Sequence, residues 1–220
     1  ALRADMLFLS RLWEGIQRQA GNTTAGKIVH EDLPLTLRIL RDMVQHDVER
    51  IRVDAEQEYE RMRQFTASFL PELTEKIELY SGRRPIFDLY GVEEEISKAL
   101  ERKVTLKSGG YLIFDQTEAM TTVDVNTGGF VGTRSQEETL YRTNLESAVA
   151  IARQLRLRNL GGIIIIDFID MLELSHREKV LEALERSLAN DNAKYQIMPV
   201  SPLGLVEMTR KRTRESLEHI

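Results

Sequence analysis

Two short stretches bring together the residue types that phosphate chemistry requires. In Thr121-Thr122-Val123-Asp124-Val125-Asn126-Thr127-Gly128-Gly129, polar residues alternate with valines. Strand side chains repeat every two residues, so Thr122, Asp124 and Asn126 share one face while Val123 and Val125 point into a core. The second stretch, Gly161-Gly162-Ile163-Ile164-Ile165-Ile166-Asp167-Phe168-Ile169-Asp170-Met171, ends an isoleucine run on an aspartate. Such a run predicts a strand buried on both faces. A charge buried alone there would cost on the order of several kcal/mol, so Asp167 stands at a mouth or is neutralised by a partner or a metal. Two carboxylates and an amide oxygen form a hard oxygen set that suits Mg²⁺ or Mn²⁺ and not zinc. Mg²⁺ keeps several waters and is commonly completed by substrate phosphate, which points to phosphodiester hydrolysis. The plainer alternative is that these aspartates cap turns or pair with Arg153, Arg156 or Arg158. Asp170 is open to the same two readings.

The elements that would carry these residues follow from periodicity. Lys103–Leu106 and Tyr111–Asp115, separated by Lys107-Ser108-Gly109-Gly110, predict a hairpin that turns into the Asp124 strand. Residues 137–158 predict a long helix with Leu145, Ala148, Ile151, Ala152 and Leu155 on its buried stripe. Strand, helix and strand at this length make a crossover unit, so the two acidic strands are expected to be parallel, neighbouring and open at one edge. A helix over 175–189, a strand over 195–200 and a basic helix over 204–219 are expected to follow. Before the hairpin, helices are expected at 2–20, 33–47, 55–70 and 92–100, with short strands at 51–54 and 76–80. Gly21-Asn22-Thr23-Thr24-Ala25-Gly26-Lys27 approaches a P-loop, but Ile28 stands where Ser or Thr would hold magnesium and no strand precedes it. It reads as a loop.

With 220 residues, 42% of them hydrophobic, the chain has room for one large domain or two small ones. No apolar run approaches the roughly 18–20 residues of a membrane span. The absence of cysteine removes disulfides, thiolate chemistry and cysteine-ligated zinc from these residues and fits a cytoplasmic location. A net charge of −5 argues against non-specific nucleic-acid binding by the whole surface, though not against a local patch. Arg210, Lys211, Arg212 and Arg214 form such a patch, either neutralising phosphates or complementing a helix dipole. The four histidines show no ligand spacing, and no serine or cysteine triad can be assembled.

The Asp124-Val-Asn126 stretch, Thr143-Asn144-Leu145-Glu146 and the run from Ile151 through Arg158 to Asp167-Phe-Ile-Asp170 resemble the ribonuclease E/G family. The closing Leu203–His219 segment looks most like the G branch of that family. The resemblance implies a Mg²⁺-dependent endoribonuclease that cuts single-stranded RNA, leaving 5′-phosphate and 3′-hydroxyl ends. It makes Asp124 and Asp167 the metal ligands and Asn126 the residue that places the scissile phosphate. Lys194 falls where relatives carry a basic residue facing the site, and joins Arg210, Lys211 and Arg212 as the expected RNA contacts. The implied fold is mixed α/β: a deoxyribonuclease I-like catalytic part at 100–220, an RNase H-like part at 36–99, and at 1–35 the tail of a segment sensing a 5′-monophosphate. The family's oligonucleotide-binding domain, its 5′-phosphate-reading pair and the cysteines that link protomers of a homodimer through zinc have no counterpart in these residues. The competing expectation is a non-catalytic RNA-binding or assembly module.

Overall fold

The computed structural model describes residues 2–42, 44, 48–128, 136–189, 191–212 and 214–219, without the side chains of 2–4 and 219. The fold is mixed α/β with two sheets, and the chain divides into two compact units, Ala1–Tyr90 and Gly91–Ile220.

In the first unit, α1 (Leu2–Asn22), α2 (Leu35–Asp42) and α3 (Glu56–Phe69) accompany a parallel pair, β1 (Ile51–Val53) and β2 (Ile77–Leu79). Phe8, Leu37, Leu40, Met62, Phe65 and Ile77 form its core. The second helix ends at Asp42; the remainder expected up to residue 47, His46 included, falls mostly outside the described residues. Two single-turn helices, α4 (Pro71–Thr74) and α5 (Ile86–Leu89), were not anticipated. Proline at the first position of α4 starts a helical turn where the sequence suggested only a break. Gly21 and Asn22 belong to the last turn of α1, and the Lys27 amide bonds Thr24 O at 3.2 Å, so the P-loop-like stretch is a turn.

The second unit begins with α6 (Val92–Ala99) and is built on a six-stranded sheet. Its strands are β3 (Lys103–Thr105), β4 (Tyr111–Gln116), β5 (Met120–Asn126), β6 (Gly162–Asp167), β7 (Tyr195–Ile197) and β8 (Val206–Arg210), in the order β3-β4-β5-β6-β8-β7. Long helix α7 (Gln136–Leu157) makes the crossover from β5 to β6, which are parallel as expected, and α8 (Leu174–Leu188) packs on α7. Ala148, Ile151, Ala152 and Leu155 of α7 and Val180, Leu184 and Leu188 of α8 meet Leu112, Phe114, Val123, Val125, Ile164, Ile166, Val206 and Met208 of the sheet in one core.

Two expectations fail here. The isoleucine run is not buried on both faces: Ile164 and Ile166 are buried, but Ile163 is 47% exposed and Asp167 is exposed. The described helices of this core, α7 and α8, join it through the side chains of one sheet face, and the other face, carrying Thr122, Asp124, Ile163, Ile165, Asp167, Glu207 and Thr209, is exposed or half-exposed. The basic helix expected at 204–219 is instead β8, followed by a 3₁₀ turn at Leu217–His219. Val206 and Met208 are buried and Glu207 and Thr209 exposed, which is the period of a strand. Pairing antiparallel with β6 also satisfies backbone groups that would otherwise make β6 an edge.

Candidate active site at the ends of two parallel strands

Asp124 closes the part of β5 that pairs with β6, and its register partner across that parallel ladder is Asp167, the last residue of β6. Both side chains leave the open face of the sheet because the residues between and around them, Val123, Val125 and Ile166, are claimed by the core. Adjacent strands lie about 4.8 Å apart, so two carboxylates are held side by side on a rigid frame. Asn126, two residues on and on the same face, donates from Nδ2 to Asp124 Oδ2 at 2.7 Å. Burial, then the negative charges of Asp124 and Asp170, push the Asp167 carboxyl above the usual carboxylate range. Like charges placed this way disfavour simultaneous ionisation unless a cation joins them.

The arginines that could have neutralised this pair are engaged elsewhere. Arg153 bonds Glu95 at 3.0 Å, Arg156 bonds Ser187 O at 2.6 Å, and the fully buried Arg158 bonds Glu101 O and Gln154. The plain salt-bridge reading of the two aspartates therefore has no support from these residues. Among the described residues, no group of three or more His, Cys, Asp or Glu is arranged to hold a metal ion. The donor set is two carboxylates, and this is what Mg²⁺ ordinarily takes from a protein when water and substrate phosphate complete its shell. The residues fit a hard divalent cation and do not make a closed protein cage.

The supports beneath the pair were only partly visible in the sequence. Asn144, on α7 and fully buried, clamps the backbone that leaves β6: its Nδ2 donates to Ile169 O at 2.7 Å and its Oδ1 accepts from the Ile169 amide at 3.1 Å. Glu137, in the first turn of α7, accepts from the amides of Leu172 and Glu173 and faces His176 Nδ1 at 3.3 Å. Burial pushes its carboxyl up, but the Glu173 and Leu172 amides and His176 outweigh this and hold it below the usual range. Glu146 accepts from the Lys107 and Ser108 amides at 2.6 and 3.1 Å and so fixes the hairpin turn. Beside that turn, Gly128 has φ +65°, and a Cβ on it would collide with the Gly109 carbonyl oxygen. In the sequence, Thr143–Glu146 carried the expected helix, with Leu145 on its buried stripe, and the family resemblance, but no role for Asn144 or Glu146. The signal for a role was a polar residue, Asn144, on the buried stripe four residues before Ala148, a place that demands a partner.

The basic residues lie elsewhere. Arg210 pairs in register with Gly162, at the opposite end of β6 from Asp167, about 17 Å away at roughly 3.3 Å per residue. Its side chain is 5% exposed and bonds Asp191 at 2.7 and 2.9 Å and Leu160 O at 2.8 Å, so it serves the fold. As an expected RNA contact it is corrected: burial withdraws its guanidinium from solvent. Lys194, Lys211 and Arg212 are exposed. Lys194 and Lys211 border a groove of about 430 Å³ with Ile163, Gln196 and Thr209, while Arg212 turns its Nε to Gly161 O at 3.1 Å.

A family model described as "Ribonuclease E/G family" matches residues 1–213. The chain is 57% identical over 219 residues to "Ribonuclease G" of Salmonella typhimurium (strain SL1344), and 55% identical over 219 residues to "Ribonuclease G" of Escherichia coli (strain K12). In both alignments 100% of this chain and 45% of the relative are covered. Over 218 residues it is 40% identical to "Ribonuclease E" of Escherichia coli (strain K12), covering 99% of this chain and 20% of that protein. The chain thus spans less than half the length of the curated relatives it matches.

Proposed function

The chain belongs to the ribonuclease E/G family, and from that membership we propose that it carries the catalytic part of a Mg²⁺-dependent endoribonuclease. Its substrate is single-stranded RNA in processing and decay, and its products carry 5′-phosphate and 3′-hydroxyl ends. The observation that carries the reading is the register pairing of Asp124 with Asp167 at the ends of parallel strands, on the uncovered face of the sheet. Asp124 and Asp167 hold Mg²⁺, or Mn²⁺ in its place. Bound there, the ion supplies a Lewis acid that lowers the pKa of water and offsets charge gathering on the phosphate. Asn126 holds Asp124 in orientation through one Nδ2 hydrogen and keeps the second Nδ2 hydrogen to help place the scissile phosphate. Asn144 fixes the backbone that leaves β6 two residues after Asp167, which steadies the strand end carrying that carboxylate.

Lys194, Lys211 and Arg212 supply RNA contacts away from the reacting phosphate. In this reading residues 100–220 are the deoxyribonuclease I-like part, 36–99 the RNase H-like part and 1–35 part of the 5′-sensing segment. The homodimer linked through zinc belongs to the full-length protein in the cytoplasm. Among the described residues no helix is long and apolar enough to cross a membrane.

The test is cleavage of a fluorescent, 5′-monophosphorylated single-stranded RNA with Mg²⁺ or with EDTA, beside Asp124→Asn and Asp167→Asn, using both this chain and a chain extended at both ends. Cleavage that requires Mg²⁺ and both aspartates is expected. Full activity in either variant overturns the assignment. RNA binding with no cleavage in either length would make these residues a binding or assembly module.

A further inference from the structure

The open face of the sheet carries an aromatic side chain beside the aspartates that the reaction does not use. Tyr111 begins β4, and its register partner on β5 is Asn126; two residues on, Ile113 pairs with Asp124 and, on its other side, with Lys103. Lys103, Ile113, Asp124 and Asp167 therefore form one row across four strands, and Thr105, Tyr111 and Asn126 form the next. Leu112 and Phe114 are buried in the core between these positions, so alternation sends the half-buried Tyr111 ring to the side that holds Asp124. Lys103 Nζ lies 4.0 Å from the centroid of that ring, and among the described residues it forms no ion pair. The hairpin turn that precedes Tyr111 is fixed by Glu146 and pressed against Gly128, so the ring is carried on an anchored strand.

We infer that Tyr111 and Lys103 form a nucleotide subsite next to the catalytic pair, in which Tyr111 stacks on the base flanking the scissile phosphate and Lys103 contacts a backbone phosphate. The inference rests on the endoribonuclease reading for its occupant. A half-exposed ring one strand from Asp124 is within the span of a neighbouring nucleotide, and base–aromatic stacking is the usual means of holding single strands without a sequence code. The ammonium over the ring adds a charge where the sugar-phosphate chain must pass, on a row whose other members are acidic or apolar. It offsets the repulsion that Asp124 and Asp167 would exert on RNA before a cation is bound.

The test is binding, kept apart from chemistry. Short single-stranded RNAs, each with one abasic nucleotide at a different position, are titrated with the chain in EDTA, where the RNA is checked to remain intact. Parent, Tyr111→Ala, Tyr111→Phe and Lys103→Met are compared, with circular dichroism confirming the fold. Tyr111→Ala is expected to weaken binding of the complete RNA roughly tenfold, within the range of one lost stacking contact. Tyr111→Phe should bind like the parent. On the one abasic RNA that already lacks the stacked base, Tyr111→Ala should cause no further loss. Lys103→Met should weaken all the RNAs alike and reduce the slope of log affinity against log salt by about 1. Parent-like affinity in Tyr111→Ala, the same loss on every abasic RNA, or no measurable RNA binding by the parent chain would each overturn the subsite. Failure of the endoribonuclease reading shows separately, as absent or aspartate-independent cleavage with Mg²⁺.

Discussion

Asn144→Asp tests whether the backbone after Asp167 is held by a two-point clamp. The substitution keeps the shape and keeps one oxygen for the Ile169 amide, but it removes the donor to Ile169 O. At neutral pH the second oxygen of the new carboxylate then faces a carbonyl oxygen within a fully buried position. An unsatisfied buried acceptor costs about 1–3 kcal/mol, and an unpaired buried charge adds more, so a loss of about 3 kcal/mol or greater is expected. Asn144→Ala abandons both Ile169 groups, but Ile169 is only half-buried and water can reach them; its cost should fall near 2 kcal/mol, by the same accounting.

The acid form distinguishes the clamp from simple packing. Burial and the facing carbonyl raise the folded-state pKa of the introduced carboxyl above its unfolded value of about 3.9. A raised carboxyl destabilises the fold when ionised, so the deficit is largest above the folded pKa and shrinks as pH falls through it. Once protonated, the acid donates to Ile169 O and restores both bonds. The single tryptophan, Trp13, belongs to the first unit and does not report this one. Hydrogen exchange at the Ile169 amide and at the strand amides of the second unit, followed against denaturant and pH, is the appropriate probe. A deficit in Asn144→Asp that is independent of pH, or protection at Ile169 equal to the parent's, would refute the clamp.

Three further outcomes follow from the same contacts. Asp191→Asn leaves the Arg210 guanidinium buried without its carboxylate and should cost about 3–5 kcal/mol in thermal or denaturant unfolding, whereas the double change Asp191→Leu, Arg210→Met should cost less than that single one. Burial pushes the Asp191 carboxyl up, but Arg210, the Ala193 amide and Arg156 outweigh it and hold it below the usual range. Its stabilisation is therefore present above the unfolded carboxylate pKa and is lost as pH falls through the lower folded value, and Asp191→Asn should flatten that acid limb. Asp124→Asn removes one of the charges that raise Asp167 and should lower the Asp167 pKa in a carboxyl NMR titration; an unchanged value would separate the two groups electrostatically. Gly128→Ala forces a Cβ onto the Gly109 carbonyl at φ +65°, so it should destabilise the second unit and reduce RNA cleavage, while Ala at the open Gly15 should leave cleavage unchanged.

How far the sequence reached depended on whether the deciding interaction was local. Strand parity alone put Asp124 and Asn126 together and opposite Val123 and Val125, and the length of the 137–158 helix predicted the parallel neighbour that brings Asp167 alongside. Burial is not local. The run Ile163–Ile166 carries no polar residue to mark an open face, and only the placement of α7 and α8 shows that Ile163 and Ile165 lie on the side away from the core. The basic stretch after Gly204 was misread because charge dominated a weaker signal, the alternation of Val206, Glu207, Met208 and Thr209. What made it a strand was the vacancy beside β6, a fact about tertiary pairing.

That correction also changes where RNA contacts can act. Had residues 204–219 formed a helix, its cations could have been turned toward the aspartates. As β8, running antiparallel to β6, the segment carries Arg210 and Lys211 away from Asp167 and toward Gly162. By alternation Lys194 and Lys211 fall on the same face as Gln196 and Thr209, which is the face of Asp124 and Asp167, but one residue beyond Arg210 and so about 20 Å along it. One phosphate cannot meet both groups. Salt-dependent affinity from Lys194 and Lys211 should therefore require an RNA of several nucleotides running along β6, and trimming the RNA should remove their salt sensitivity while leaving contacts at the aspartate end. An undiminished salt slope on the shortest bound RNA would place that strand across the sheet, along the row from Lys103 to Asp167, instead.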